Sequence, residues 1–146
     1  MKRFFLISIL LWYTIAIFAQ RGFVSYIEPS FKNIDVKYKI TNQNFFDKSS
    51  PVVIILKLKN NNEFDVQVDI QIEYQFGIKS RYKSEKVSVC IPAGRIVGGR
   101  MHGLSFELKT SDTKIFNNEE NEWFFSVFDV EQIDKCTVNR KNLKSN

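Results

Sequence analysis

One segment of this sequence constrains the fold more than any other, because apolar and polar side chains alternate in it without interruption. Phe64 to Phe76 reads F-D-V-Q-V-D-I-Q-I-E-Y-Q-F, thirteen residues in which every second one is apolar. Successive side chains of a β-strand point to opposite faces, so this segment predicts a strand with one dry and one wet face. Such a strand is typical of an antiparallel sheet. Its unusual length also predicts a bend or bulge within it.

The same two-residue period predicts further strands elsewhere, and no stretch beyond the first twenty residues keeps the 3.6-residue apolar period of a helix. The asparagine-rich connection 60–63 predicts a hairpin between the strand at 52–60 and the long strand. About seven short strands in about 120 residues indicate an all-β fold, an antiparallel two-sheet sandwich. The alternating residues are Ile34, Val36, Tyr38 and Ile40; Val52, Ile54, Leu56 and Leu58; Val87, Val89 and Ile91; Leu104, Phe106 and Leu108; with first and last strands at Phe23 to Ile27 and Trp123 to Val130.

The pattern from Pro51 to Leu108 contains a buried strand, the long alternating strand, V-S-V-C-I-P-A-G, a glycine-rich loop and G-L-S-F-E-L. In this order it resembles the immunoglobulin-like or fibronectin type III-like sandwiches of bacterial exported proteins. The resemblance implies an architecture and no specific family. The cysteine, tryptophan, cysteine pattern of immunoglobulin domains is not matched, since Trp123 lies between cysteines that begin late in the chain.

The N-terminus has the layout of a cleavable signal peptide at 1–19, which we expect to be helical. Lys2 and Arg3 precede an apolar run fifteen residues long, Phe4 to Phe18, and Ala19-Gln20 follows. A retained anchor is the alternative, but a spanning helix needs about 20 apolar residues. Ile17 is bulky for the position two residues before a cut after Ala19, so the cleavage site stays open. We therefore predict export to the periplasm or exterior, a sandwich domain at 20–136, a basic flexible tail at 137–146, and no membrane span after cleavage.

The two cysteines, Cys90 and Cys136, are expected to form a disulfide in an oxidising compartment, with two free thiols as the alternative. Cys90 has the opposite parity to the apolar positions of its strand, so its sulfur should point away from the core. A bridge would then pin the C-terminal segment across an outer face. Zinc is not expected, because two cysteines and the single His102 do not supply a four-ligand set.

The glycine-rich segment from Gly94 to Gly103 offers a candidate ligand loop. Glycines let backbone amides approach an anion, and Arg95, Arg100 and His102 add positive charge. The segment matches neither a P-loop nor a dinucleotide fingerprint, and no helix follows it. A flexible connection between strands is the alternative interpretation.

A candidate partner surface comes from apolar residues on both faces of predicted strands, since contiguous exposed apolar patches mark interaction sites. The alternative is that the N-terminal stretch with Phe23, Tyr26 and Phe31, or the loop with Phe45 and Phe46, covers them within the molecule. The candidate residues are Val53, Ile55, Trp123, Phe124 and Phe128.

These observations predict an exported, non-catalytic binding module that uses a sheet edge or the apolar patch 123–128, with another envelope or secreted protein as its partner. The alternative is an anion- or glycan-binding module centred on the 94–103 loop. No nucleophile, metal or acid-base constellation indicates an enzyme, and no cofactor is implied. Without Lys2 and Arg3, the chain keeps 19 of its 21 basic residues and has 16 acidic ones. This net charge of +3 gives no case for nucleic-acid binding.

Overall fold

Nine β-strands form the regular structure of residues 22–27, 31–77 and 80–136, the part of the chain that the computed structural model describes. They pack as two antiparallel sheets, which confirms the predicted sandwich. Seven of them match the predicted strands, and β5 and β7 are additional. The strands are β1 Val24–Tyr26, β2 Ile34–Asn44, β3 Asp47–Asn60, β4 Val66–Phe76, β5 Ser80–Lys83, β6 Val87–Ile91, β7 Ile96–Gly98, β8 Ser105–Glu107 and β9 Glu122–Gln132.

Each sheet is organised around one long strand. In the first sheet β3 has β2 on one side and β7 and β8 on the other, and β1 continues the sheet beyond β2. In the second sheet β4 has β9 along one side and both β5 and β6 along the other. The predicted hairpin between β3 and β4 is therefore wrong. The two strands are consecutive in the chain but belong to opposite sheets, with the connection crossing between the layers.

The core lies where the apolar faces of β3 and β4 meet, at the positions that the two-residue period predicted. Their inward side chains have no exposed surface, and burial of each stabilises the fold by about 2 kcal/mol. Leu104, Phe106 and Leu108 complete the layer from the edge of the first sheet. The fully buried residues of the two central strands are Val52, Ile54, Leu56, Leu58, Val66, Val68, Ile70 and Ile72.

The crossing between the sheets depends on Asn60, a polar residue with 0 % exposure. Its Nδ2 donates to the carbonyl oxygen of Phe64 at 2.8 Å and to that of Ile91 at 3.0 Å. Its Oδ1 accepts the backbone N–H of Asn62 at 2.9 Å. Because Ile91 ends β6 in the second sheet, this one amide fixes both the tight connection and the distance between the layers.

A disulfide joins Cys90 to Cys136, with 5.6 Å between their Cα atoms, as predicted. Cys90 lies on the outer face, because its neighbours on both sides in β6 are buried. The Asp65 carboxylate reinforces the link by accepting the backbone N–H groups of Cys136 at 2.8 Å and Ala93 at 2.9 Å. These hydrogen bonds, that of Cys136 first, lower the pKa of Asp65. The segment after β9 is thus fastened across one end of the second sheet.

The predicted signal helix at 1–19, its cleavage, and the basic tail at 137–146 lie outside the described residues. The signal helix, its cleavage and the flexible tail therefore stay predictions.

Replacing Asn60 by alanine should destabilise the protein by about 3 kcal/mol, because it leaves the buried carbonyl of Ile91 and the part-buried carbonyl of Phe64 without a donor. Equilibrium urea unfolding followed by circular dichroism measures the change. Asn61→Ala, at an exposed position next to it, should change the free energy of unfolding by less than about 0.5 kcal/mol. Equal effects of the two substitutions would show that the side chain of Asn60 does not stabilise the crossing.

Opening the disulfide should cost about 4 kcal/mol, because the bond closes a loop with a sequence separation of 46 residues. The double variant C90S/C136S and the reduced native protein should show the same lowered urea midpoint. A midpoint equal to that of the oxidised protein would mean that the hydrogen bonds of Asp65 alone hold the C-terminal segment.

Candidate functional site

The five residues of the predicted partner surface do not share one surface. Trp123 and Phe128 of β9 face the space between the sheets and pack against the core. Phe124 lies on the outer face of the second sheet, and Val53 and Ile55 lie on the outer face of the first. A single patch made of all five is therefore not present.

A β-bulge in β9 explains why residues of both parities point inward. Gln71 of β4 lies opposite Val127, but the next residue, Ile72, lies opposite Phe125, so Ser126 is the extra residue. The bulge shifts the parity of β9 and brings Phe125 and Phe128 to the same face. The irregularity predicted for the long strand thus occurs beside Gln71 and Ile72, with the additional residue in the partner strand.

The inward aromatic residues of β9 are covered from the N-terminal side of the same chain. The ring of Tyr26 lies 5.1 Å from that of Trp123, and the ring of Phe31 lies 4.0 Å from that of Phe128, between centroids. These contacts match the alternative in which the N-terminal stretch of the same molecule covers the apolar residues. Phe45 and Phe46 take no part in it, being 82 % and 93 % exposed.

The outward members of the candidate surface are also covered in part. Val53 is only 2 % exposed although it lies on an outer face. The Arg100 guanidinium donates to the carbonyl oxygen of Gln43 in β2, so its side chain crosses β3 from the side of β7 and β8. On the other sheet, the guanidinium of Arg81 lies 5.4 Å from the ring centroid of Phe124.

The predicted ligand loop contains regular structure, and its three cationic candidates do not converge. Arg95 lies at one end of β7, where its carbonyl oxygen accepts the backbone N–H of Asn60. Arg100 and His102 lie beyond the other end, in a 3-10 turn. The Nδ1 of His102 is 2.9 Å from the carbonyl oxygen of Gly98. The interpretation of this segment as a flexible connection is wrong for Ile96–Gly98, which pair with β3.

Gly98 shows why β7 forms in so glycine-rich a segment. A Cβ at this position would lie 2.8 Å from the carbonyl oxygen of Leu56, so only glycine lets the strand approach β3 this closely. The glycine that indicated a loop is therefore what permits a strand.

The structure shows a cationic surface that the sequence analysis missed. Lys37 and Lys39 of β2 and Lys57 and Lys59 of β3 lie side by side on the outer face of the first sheet, and we call these four residues the lysine face. Lys37 is directly opposite Lys57, and Asp35 is opposite Lys59. Within the described chain, none of the four lysines forms a salt bridge. Like charges directly opposite each other destabilise a sheet.

An aromatic ring lies at the centre of the lysine face. Phe23 is 39 % exposed, and the Nζ atoms of Lys39 and Lys57 are 5.2 Å and 5.7 Å from its ring centroid. With Ile55 and Ile96 it lines a shallow groove of 470 Å³. The groove therefore has an apolar floor and a cationic rim.

A signal for the lysine face is present in the sequence. K-Y-K at 37–39 and K-L-K at 57–59 both place lysines on the wet positions of alternating strands. What was missing was the hairpin through Phe45 and Phe46 that aligns β2 with β3. Because the four lysines come from two separate segments, they form no continuous run of basic residues in the sequence.

The outer face of the second sheet has the opposite character. Asp69 of β4 lies opposite Asp129 of β9. Unlike the lysines, Asp69 has a counter-charge, since the Nζ of Lys86 is 2.6 Å from its carboxylate. Hydrogen bonds from Lys86 and Ser88 lower the pKa of Asp69. This face therefore carries an ion pair at its pair of like charges, whereas Lys37 and Lys57 have none among the described residues.

No protein-family model matches this chain, and neither a curated protein nor a solved structure is significantly similar to it. In the described ranges, no three His, Cys, Asp or Glu side chains are grouped so as to hold a metal ion. The same ranges contain no helix of the length and apolarity needed to cross a membrane. The resemblance to immunoglobulin-like domains holds at the level of a two-sheet antiparallel sandwich.

Phe128→Ala should destabilise the protein by about 2 kcal/mol, because the ring packs on Phe31 and the core. Phe124→Ala, on the outer face of the same strand, should cost less than about 1 kcal/mol. Urea unfolding of the two variants measures the difference. The reverse order would place Phe124 inside and contradict the bulge at Ser126.

Proposed function

We propose that this chain is an exported, non-catalytic binding module that holds a polyanionic ligand on the lysine face. The observation that carries the proposal is the placement of Lys37 directly opposite Lys57, with no acidic partner for either in the described chain. The fold bears this repulsion, of about 0.2–1 kcal/mol for a cross-strand pair, and only the contact of the Lys57 ammonium with the ring of Phe23 offsets it. An anion laid across the two strands removes it.

The spacing of the lysines favours a repeating anion over a single one. Neighbouring strands are about 4.8 Å apart, and alternate residues of one strand are about 7 Å apart. The four ammonium groups therefore form a flat grid, which suits successive charges along a polymer. The exposed ring of Phe23 adds an apolar surface on which a sugar ring can stack. A sulfated or carboxylated glycan combines both features, so we assign the ligand to that class.

The proposed anion-binding site lies on the first sheet, next to the 94–103 loop, and not on the loop itself. Ile96 and Gly98 of the 94–103 segment border the groove, while Arg100 is engaged with Gln43. His102 is exposed and its ring nitrogen is close to a backbone carbonyl, so nothing desolvates it or aligns it with a nucleophile. This environment supports a binding role over a catalytic one.

Addition of a partner strand at a sheet edge receives less support. The long edge strand β9 has eleven residues, and its free side pairs with no strand in the described chain. However, the bulge at Ser126 and the acidic residues Asp129 and Glu131 are features that hinder pairing with another strand. A protein partner at this edge is therefore the second candidate.

Replacing two lysines by glutamate tests the proposal. K37E/K57E should weaken binding to heparin, used as a sulfated glycan probe, by at least tenfold in isothermal titration calorimetry, because two of four contacts change sign. The salt dependence of the remaining binding should also become shallower.

The control K83E/K114E changes the net charge by the same amount at exposed positions outside the lysine face. It should bind heparin within about twofold of the native protein, since distant exposed charges are largely screened. Equal losses in both variants would show a response to net charge and overturn the proposal. Tighter binding to duplex DNA than to heparin at matched salt would assign the face to nucleic acid instead.

A further inference from the structure

The hairpin between β2 and β3 ends in two exposed phenylalanines. Asn44 is paired with Asp47, so Phe45 and Phe46 form a two-residue loop at the tip. Their side chains are 82 % and 93 % exposed, and their rings meet edge to face with 5.5 Å between centroids. All residues from 43 to 49 are exposed, so the tip extends beyond the sandwich.

Polar hydrogen bonds, and no apolar core, hold this tip in place. The N–H of Phe46 donates to Asn44 Oδ1 at 3.1 Å, and the N–H of Asn44 donates to Ser50 Oγ at 3.0 Å. Ser50 Oγ donates in turn to the carbonyl oxygen of Asp47 at 2.6 Å. Below them, Asn42 Nδ2 donates to the carbonyl oxygen of Ser50 at 3.0 Å. The two rings are thus displayed on a braced support.

The residues at the tip are not those that the turn itself favours. Two-residue hairpin loops prefer Asn-Gly, Asp-Gly or Gly-X, which adopt positive φ. Phe45 and Phe46 are not among the residues with positive φ, so the loop uses neither preferred turn type. Local backbone chemistry therefore does not account for a pair of phenylalanines here.

We propose that this tip inserts Phe45 and Phe46 into the interfacial region of a lipid bilayer. Two phenylalanine side chains bury at most about 500 Å² between them. A specific protein interface needs about 800 Å² on each partner. A bilayer sets no such threshold and no demand for complementary shape, so two protruding rings suffice for contact.

The charges around the tip fit the headgroup layer. Lys48 follows shortly after the pair, and Arg100, although engaged with the carbonyl oxygen of Gln43, keeps its positive charge beside the tip. Basic side chains at this level attract anionic headgroups. The one carboxylate at the tip, Asp47, accepts the N–H of Ser49 at 2.9 Å as well as its hydroxyl. These bonds, the hydroxyl's first, lower the pKa of Asp47.

The inference goes beyond the proposed glycan binding and uses different residues. The tip lies at the start of β3, whereas Lys57 and Lys59 are near its end. Each proposal can therefore fail while the other holds.

Sedimentation with vesicles tests the insertion. Protein recovered after export, with its N-terminus verified by mass spectrometry, is mixed with phosphatidylcholine vesicles with and without phosphatidylglycerol. F45S/F46S should lower the bound fraction at least tenfold on both compositions. K37E/K57E should keep its binding to the neutral vesicles. Phe64→Ser is the matched control, because Phe64 is 39 % exposed at the opposite end of β3, and it should bind as the native protein does.

A second measurement reports how deeply the tip enters the bilayer, and it does not depend on the fraction of protein bound. Phe46→Trp should show a blue-shifted emission on vesicles, with quenching by brominated phosphatidylcholine at least twofold stronger than that of Trp123 in the native protein. Equal vesicle binding by the native protein and F45S/F46S, or quenching no stronger than that of Trp123, would overturn the proposal. So would loss of a recovered protein partner in F45S/F46S without any vesicle binding by the native protein.

Discussion

The contact between two consecutive strands across the core determines the rest of this structure. β3 and β4 each contribute four fully buried aliphatic side chains, and each is the strand to which every other strand of its sheet is attached, directly or through one neighbour. The chain must therefore pass from one layer to the other within a few residues after Asn60. The buried amide of Asn60 makes that passage compatible with a dry interior, because it supplies hydrogen bonds that water would otherwise provide.

The sequence predicted which faces of the strands are dry, but not which strands are neighbours. The alternation identified the core correctly at 66–74 and at 52–58, because burial on one face leaves a two-residue period, whereas Phe64 at the start of the pattern is 39 % exposed. The same alternation is compatible with a hairpin and with an interlayer crossing, so the pairing of β3 with β4 was mispredicted. β7 was not predicted because its three residues, Ile96–Gly98, form a strand only through the close approach of Gly98 to β3.

The candidate site shows the same division between local pattern and pairing. The disulfide was predictable, since compartment and parity are local arguments, and it is present on the expected face. The partner surface was not predictable. The bulge at Ser126 moves Phe128 to the inner face of β9, and no sequence pattern indicates that bulge. The lysine face required the register of β2 against β3, which depends on a hairpin whose phenylalanine tip has none of the usual turn residues.

The two ends of the sandwich are secured by different chemistry. At one end the covalent bond of Cys136 and the carboxylate of Asp65 fix the C-terminal segment beside the interlayer crossing. At the other end the tip with Phe45 and Phe46 is braced by hydrogen bonds of polar side chains, with no covalent link. A thiol reductant would therefore loosen the molecule at the end opposite Phe45 and Phe46. Redox conditions would govern the lifetime of the protein while leaving the geometry of that tip untouched.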